Sequence, residues 1–178
     1  KIPSFILESN IGHVNTIRWA TSGCFFATGG DDGYLSIYEK VKNPYQKQMW
    51  RIFYTFKHHI SDIIDLGWSP NNLFLASGSL DNSVLIWSVE KKTLIVKLMG
   101  HSSWIKGLSW STTGKYLTTQ GADKKIIIWR TKEWRIEKVL DFKNKKPGHS
   151  NEGKIDLFSR SSWSSCGEYL IVGNTSYK

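Results

Sequence analysis

The sequence predicts an all-β protein assembled from repeated four-stranded antiparallel units, the build of a propeller blade, and three observations predict it. Tryptophans at positions 19, 68, 110 and 163 recur at spacings of 49, 42 and 53 residues, a period in the range of propeller repeats. Thirteen residues after each of the first three stands an Asp (Asp32, Asp81, Asp123), and six residues further an aromatic closes an apolar run (Tyr38, Trp87, Trp129). Between these landmarks the chain runs in short stretches rich in Ile, Val, Leu and aromatics, parted by Ser, Asn and Gly, which favours strand after strand with tight connections and almost no helix.

In chain order, an outer strand of a preceding blade is expected near the start, within residues 1–9 (about Ile2–Leu7). Three whole units follow, over 10–56, 57–98 and 99–142. In the second, the apolar runs place strands at about Ile63–Trp68, Phe74–Ser79, Val84–Ser88 and Thr93–Leu98. In the third, they fall at about Ile105–Trp110, Tyr116–Gly121, Ile126–Arg130 and Trp134–Leu140. Between Phe142 and Asp156 a polar Gly/Pro insertion reads as a mobile loop. Residues 143–178 thus hold an insertion and a partial blade, with strands at about Ser159–Trp163 and Tyr169–Gly173. Three whole blades cannot close a ring, so the expectation is a fragment of a longer protein with sticky exposed edges.

Gly100-His101 opens the third unit and Val84-Leu85-Ile86-Trp87 ends a strand of the second, and with these landmarks the chain resembles the WD40 repeat. The Asp that follows Trp in that family is Ser88 and Arg130 here. The resemblance implies a WD40 β-propeller fragment of three complete four-stranded blades plus partial blades at both ends. It also implies a buried hydrogen-bonded chain in each blade, falling on His59, Ser77, Asp81 and Trp87 in the second unit and His101, Thr119, Asp123 and Trp129 in the third. Both sets keep the same spacings about the anchor Trp, as burial of polar groups demands when each must find its partner. The first unit keeps Asp32 but has Asn10 at the His position and Tyr38 at the Trp position, and Gly12-His13 comes three residues late. In the fourth unit Lys154, Val172 and Ser176 stand at the His, Ser/Thr and Asp positions, so its polar chain is absent.

A narrower resemblance rests on Asn15-Thr16-Ile17-Arg18-Trp19 with Gly29-Gly30-Asp31-Asp32, on His59-Ile60-Ser61-Asp62-Ile63-Ile64-Asp65 running into Trp68-Ser69-Pro70, and on Gly100-His101-Ser102 with Lys106-Gly107-Leu108. Gly114-Lys115-Tyr116, Gln120, Trp129-Arg130-Thr131 and Trp134 continue it. Over residues 10–140 the chain is similar to the amino-terminal propeller of the HIRA/Hir histone chaperones. That resemblance implies a non-catalytic binding platform in the nucleus, serving replication-independent nucleosome assembly and transcription regulation. The implied partners are a ubinuclein-like subunit, other histone chaperone subunits, and histones through the complex. The competing readings are the WD40 subunit of chromatin assembly factor, which shares the Gly-Gly-Asp-Asp and Asp81-Asn82-Ser83 landmarks, and a generic WD40 scaffold in another complex.

Composition sets the outer bounds. The 178 residues carry 40% hydrophobic and 13% aromatic side chains and a formal charge of +9, which suits a folded chain and excludes disorder. A positive charge leaves direct nucleic-acid binding open, but only Arg18, Arg51, Arg130, Arg135 and Arg160 among the 24 basic residues offer the bidentate fork that such recognition favours. No apolar run is long enough to span a bilayer, so no membrane partner is expected. Cys24 and Cys166, without a CxxC spacing, suggest a reducing compartment and inert packing roles. A His, a hydroxyl and an Asp could be mistaken for a nucleophilic triad, but a catalytic set occurs once whereas this one recurs and ends on Trp each time, so no catalytic residue is assigned. His58-His59 has no third ligand at metal spacing, so neither a metal nor a cofactor is expected.

In a propeller, the residue three after the structural His position and the residue before the structural Asp lie on the narrower face around the central channel. Those positions are His13, Asp62 and Trp104, with Asp31, Leu80 and Ala122. They form the expected partner-binding face, with Trp104 as its aromatic anchor.

Overall fold

The computed structural model describes residues 12–42, 48–142 and 160–172, and every regular element among them is a strand. The first sheet holds β1 (Val14–Trp19), β2 (Phe25–Gly30), β3 (Tyr34–Lys42) and β4 (Gln48–Lys57). The second holds β5 (Ile63–Trp68), β6 (Phe74–Ser79), β7 (Val84–Ser88) and β8 (Thr93–Leu98). The third holds β9 (Ile105–Trp110), β10 (Tyr116–Gly121), β11 (Lys125–Arg130) and β12 (Arg135–Asp141). A last pair, β13 (Ser161–Trp163) and β14 (Leu170–Val172), is the described part of a fourth sheet. Each sheet is an antiparallel meander with its strands in chain order, and β1, β5, β9 and β13 lie against one another as the inner strands.

Burial follows the position of each strand in its blade. The third strand β7, Val-Leu-Ile-Trp-Ser, is buried along its whole length and reads as a continuous apolar run. The outer strand β8 alternates exposed and half-buried residues, because one of its faces meets water. Two clusters form the core. One joins Ala27, Leu35 and Phe56 of the first sheet to Ile63, Leu66 and Trp87 of the second, and the other joins Ala76, Ile86 and Leu98 to Ile105, Leu108 and Trp129 of the third. On the inner strands it is the preceding blade that covers these side chains. Ile17 and Trp19 on β1 are 52% and 58% exposed, whereas their repeat counterparts Leu66 and Trp68 are 1% and 8% exposed under the first sheet.

Two irregularities repeat with the blade. A register shift interrupts the inner strand at Asn15 and Ile64, and at the matching Lys106. A second shift falls in the outer strand opposite the closing aromatic, at Phe53, Ile95 and Glu137. The turns between third and fourth strands put Lys92 (φ 54°) and Trp134 (φ 53°) at the same left-handed position. That conformation is why β12 begins at Arg135 and not at Trp134 as expected: a left-handed residue cannot continue a strand. Trp134 makes edge contacts with Phe74 of the second sheet, at a centroid distance of 6.0 Å, and with Trp110, at 5.9 Å.

The remaining boundary differences are small. β11 starts one residue earlier than expected, at Lys125. β13 starts at Ser161, since Arg160 is not in strand conformation, and β14 starts at Leu170 and not at Tyr169. The strand expected at about Ile2–Leu7 and the insertion after Phe142 lie outside the described residues, as do Asn10, Lys154 and Ser176.

Candidate protein-binding face

Within the second blade runs a chain of three hydrogen bonds. Trp87 Nε1 donates to Ser77 Oγ at 2.9 Å, Ser77 Oγ lies 2.8 Å from His59 Nε2, and His59 Nδ1 lies 2.8 Å from Asp81 Oδ2. The third blade repeats it: Trp129 Nε1 to Thr119 Oγ1 at 2.9 Å, Thr119 to His101 Nε2 at 2.9 Å, and His101 Nδ1 to Asp123 Oδ1 at 3.0 Å. An indole N–H can only donate and a carboxylate can only accept. A neutral imidazole carrying its proton on Nδ1 therefore satisfies every link, with the hydroxyl accepting from Trp and donating to Nε2. The side chains of His59 and Asp81 are 0% and 2% exposed, and those of His101 and Asp123 are 1% and 2% exposed, so an unmade link would leave a buried group without water. Gly121 makes room for this arrangement: a Cβ there would run into the His101 ring.

Both aspartates also cap their own turns. Asp81 Oδ1 accepts from the Ser83 N–H at 3.0 Å and from its hydroxyl at 2.6 Å, and Asp123 Oδ1 accepts from the Lys125 N–H at 3.1 Å. Burial works against the charge of each carboxylate, yet the donors outweigh it. His59 and Ser83 hold the Asp81 carboxyl well below the usual range, and Ser102, His101 and Lys125 lower that of Asp123.

The residues expected on the face come together in pairs. The backbone N–H of Asp31 donates to His13 O at 3.1 Å, that of Leu80 to Asp62 O at 3.0 Å, and that of Ala122 to Trp104 O at 2.9 Å. The same bond thus joins the loop entering each blade to the turn after its second strand. In the first blade a side-chain pair is added, His13 Nδ1 to Asp31 Oδ2 at 2.9 Å, with the imidazole 94% exposed. That hydrogen bond lowers the Asp31 carboxyl pKa. Next to these pairs Ile60 is 90% exposed, a bare apolar side chain that the motif reading did not single out. Trp104 is half-buried, and its buried indole N–H has no hydrogen-bond partner among the described residues.

Asp32 is placed differently from its counterparts. Its Oδ1 accepts from the Tyr34 N–H at 2.9 Å, so it caps its turn, but among the described residues no histidine reaches it. His13 binds the neighbouring Asp31 and is no substitute for the structural His. At the position of the indole, Tyr38 stacks on Phe26 at a centroid distance of 4.6 Å.

One charged cluster went unassigned by the sequence reading. Asp65, fully buried on β5, accepts from Arg18 Nη2 at 2.7 Å, from the Leu108 N–H at 3.1 Å and from Arg160 Nε at 3.0 Å. One carboxylate on the second blade therefore holds the inner strands of the first and third and the residue entering β13. The available signal was a lone acid in the apolar run Ile63-Ile64-Asp65-Leu66, which a buried strand tolerates only with a partner.

Comparison with known proteins accords with this geometry. The crystal structure of RRP9 WD40 repeats superposes with a TM-score of 0.69 over 78% of this chain and 41% of that one, at 16% identity, a likeness of fold alone. The structure of U3-55K gives a TM-score of 0.68 over 76% of this chain and 41% of that one, at 16% identity. Protein HIRA of Xenopus laevis is 38% identical over 178 residues, covering 93% of this chain and 17% of that protein. Protein HIR1 of Mycosarcoma maydis is 30% identical over 178 residues, covering 94% of this chain and 17% of that protein. The chain thus spans about a sixth of the length of these relatives. The CAF1B/HIR1 beta-propeller domain matches residues 6–175, nearly the whole chain, and the chain belongs to that family of WD40 propellers.

Proposed function

We propose that the chain is part of a non-catalytic, protein-binding propeller in a HIRA-like histone chaperone complex, acting in the nucleus in replication-independent nucleosome assembly and transcription regulation. The observation that carries this reading is the family match over residues 6–175, supported by 38% identity to Protein HIRA of Xenopus laevis across nearly the whole chain. The partners are a ubinuclein-like subunit and other chaperone subunits, with histones bound through the complex. The face built from the His13/Asp31, Asp62/Leu80 and Trp104/Ala122 pairs is where such a subunit docks. Each pair ties two loops of its own blade together, and the buried hydrogen-bonded chains hold the loops of the second and third blades in place.

The test is co-purification of the full-length protein with histone chaperone subunits from nuclear extract. Recovery of a ubinuclein-like subunit together with histones supports the reading. Recovery of unrelated complexes alone overturns it, and recovery of replication-coupled assembly subunits favours the chromatin assembly factor alternative that the same family includes. Direct DNA binding is checked by titration against salt, where phosphate contacts would give a steep loss of affinity.

A further inference from the structure

The Asp65 cluster lies where the blades converge. The second sheet and β13 are separated by the third sheet, yet Asp65 and Arg160 bond directly, and the Leu108 N–H that joins them comes from the inner strand β9. A backbone donor on that edge of β9 points away from its own sheet, toward the axis. The guanidinium of Arg160 is therefore on the axis side, and its side chain is 44% exposed.

Arg160 meets Asp65 through Nε alone, and among the described residues the two Nη groups of its fork have no partner. Arg18 is more fully used, with Nη1 on its own Ile17 carbonyl at 2.9 Å and Nη2 on Asp65. Two guanidiniums against one carboxylate leave a single excess positive charge, partly desolvated and with its planar fork pre-aimed. We propose that Arg160, held by Asp65 and flanked by Arg18, is a carboxylate-binding site on the axis side of the blades, taking a glutamate or aspartate side chain of a bound protein. This rests on the protein-binding reading above. A carboxylate fits better than a phosphate because its single charge matches the single excess charge, whereas a dianion would meet the Asp65 carboxylate on the far side of the same guanidinium.

The experiment is arginine footprinting of the full-length protein with phenylglyoxal, read residue by residue by mass spectrometry. The probe is a capped pentapeptide with one central Glu, against the same peptide with Gln and against inorganic phosphate. Arg51 and Arg135, both exposed, are internal controls. The Glu peptide is expected to slow labelling of Arg160 by about threefold or more while leaving Arg51 and Arg135 unchanged and the Gln peptide without effect. Equal protection by the Gln peptide, uniform slowing at all arginines, or no protection overturns the proposal. So does an Arg160 already unreactive in the full-length protein, which would mean that another part of that protein fills the site. Stronger protection by phosphate than by the Glu peptide overturns the choice of ligand. Because labelling needs no chaperone subunit, selective protection with a failed co-purification would sink the platform reading and leave the site standing, and the reverse result would sink only the site.

Discussion

Trp68 donates its indole N–H to the carbonyl oxygen of Arg18 at 3.0 Å, and Trp110 does the same to Gly67 at 2.9 Å, so the anchor tryptophan of one blade is bonded to the residue just before the anchor of the blade preceding it. The repeat is thus stitched between blades as well as within them. Trp110→Phe keeps most of the ring but removes the donor, and is expected to cost about 1–3 kcal/mol in urea unfolding. Trp19→Phe, where the indole is 58% exposed, should cost less in the 178-residue chain. Equal losses at both positions would show that ring volume, not the inter-blade bond, sets the cost.

Removing Asp81 or Asp123 strands a buried histidine and the turn donors that each carboxylate satisfies. Either change to Ala is expected to destabilise the chain by about 1–3 kcal/mol. The double change Asp81→Ala with Asp123→Ala should be close to additive, since the two chains lie in separate blades. Strong non-additivity in denaturant titrations would argue for coupling through the shared core.

Acid should loosen the blades through the same two residues. Both carboxyls ionise more readily in the folded chain than in the unfolded one, so their contribution is complete above the ordinary carboxylate pKa of about 4 and is lost as pH falls below it toward the folded values. Stability measured from pH 7 downward is expected to drop more steeply below about pH 4 in the wild type than in Asp81→Asn. Parallel curves would remove Asp81 from the acid response.

The first blade should open before the others. Among the described residues it has no histidine on Asp32, and Ile17 and Trp19 lack the cover that Leu66 and Trp68 receive. Amide hydrogen exchange is expected to be faster in β1–β3 than in β5–β7 and β9–β11. Slower exchange in the first blade would mean that aromatic stacking around Phe26 and Tyr38 outweighs the exposure of Ile17 and Trp19.

Trp104 gives the proposed docking face its sharpest test. Its side chain is only half-buried in the loop entering the third blade, so part of the ring is open to a partner. Trp104→Ala is expected to weaken capture of the partner subunit about tenfold, or about 1.4 kcal/mol, while leaving the melting temperature unchanged. A lower melting temperature with unchanged capture would make Trp104 a packing residue.

The sequence by itself determined the blades. Strand-length runs around Trp68 and Trp110 and the spacings from His59 to Trp87 and from His101 to Trp129 were enough to locate β5–β10 to the residue, because alternation, turn chemistry and polar pairing inside one blade are local along the chain. The pairing of His13 with Asp31, Asp62 with Leu80 and Trp104 with Ala122 also falls at positions reached by counting along the repeat. Tertiary structure alone decided the rest. The edge contact of Trp134 with Phe74 crosses from one sheet to another, and Leu66 and Trp68 are buried because the first sheet lies over them. The Asp65 cluster joins residues 47 and 95 positions away in the chain, and no local pattern encodes a bond made only when inner strands converge. A repeat specifies its own sheet through near neighbours, but charge pairing between blades depends on the packing of those sheets, and that is set by the summed shape of their faces.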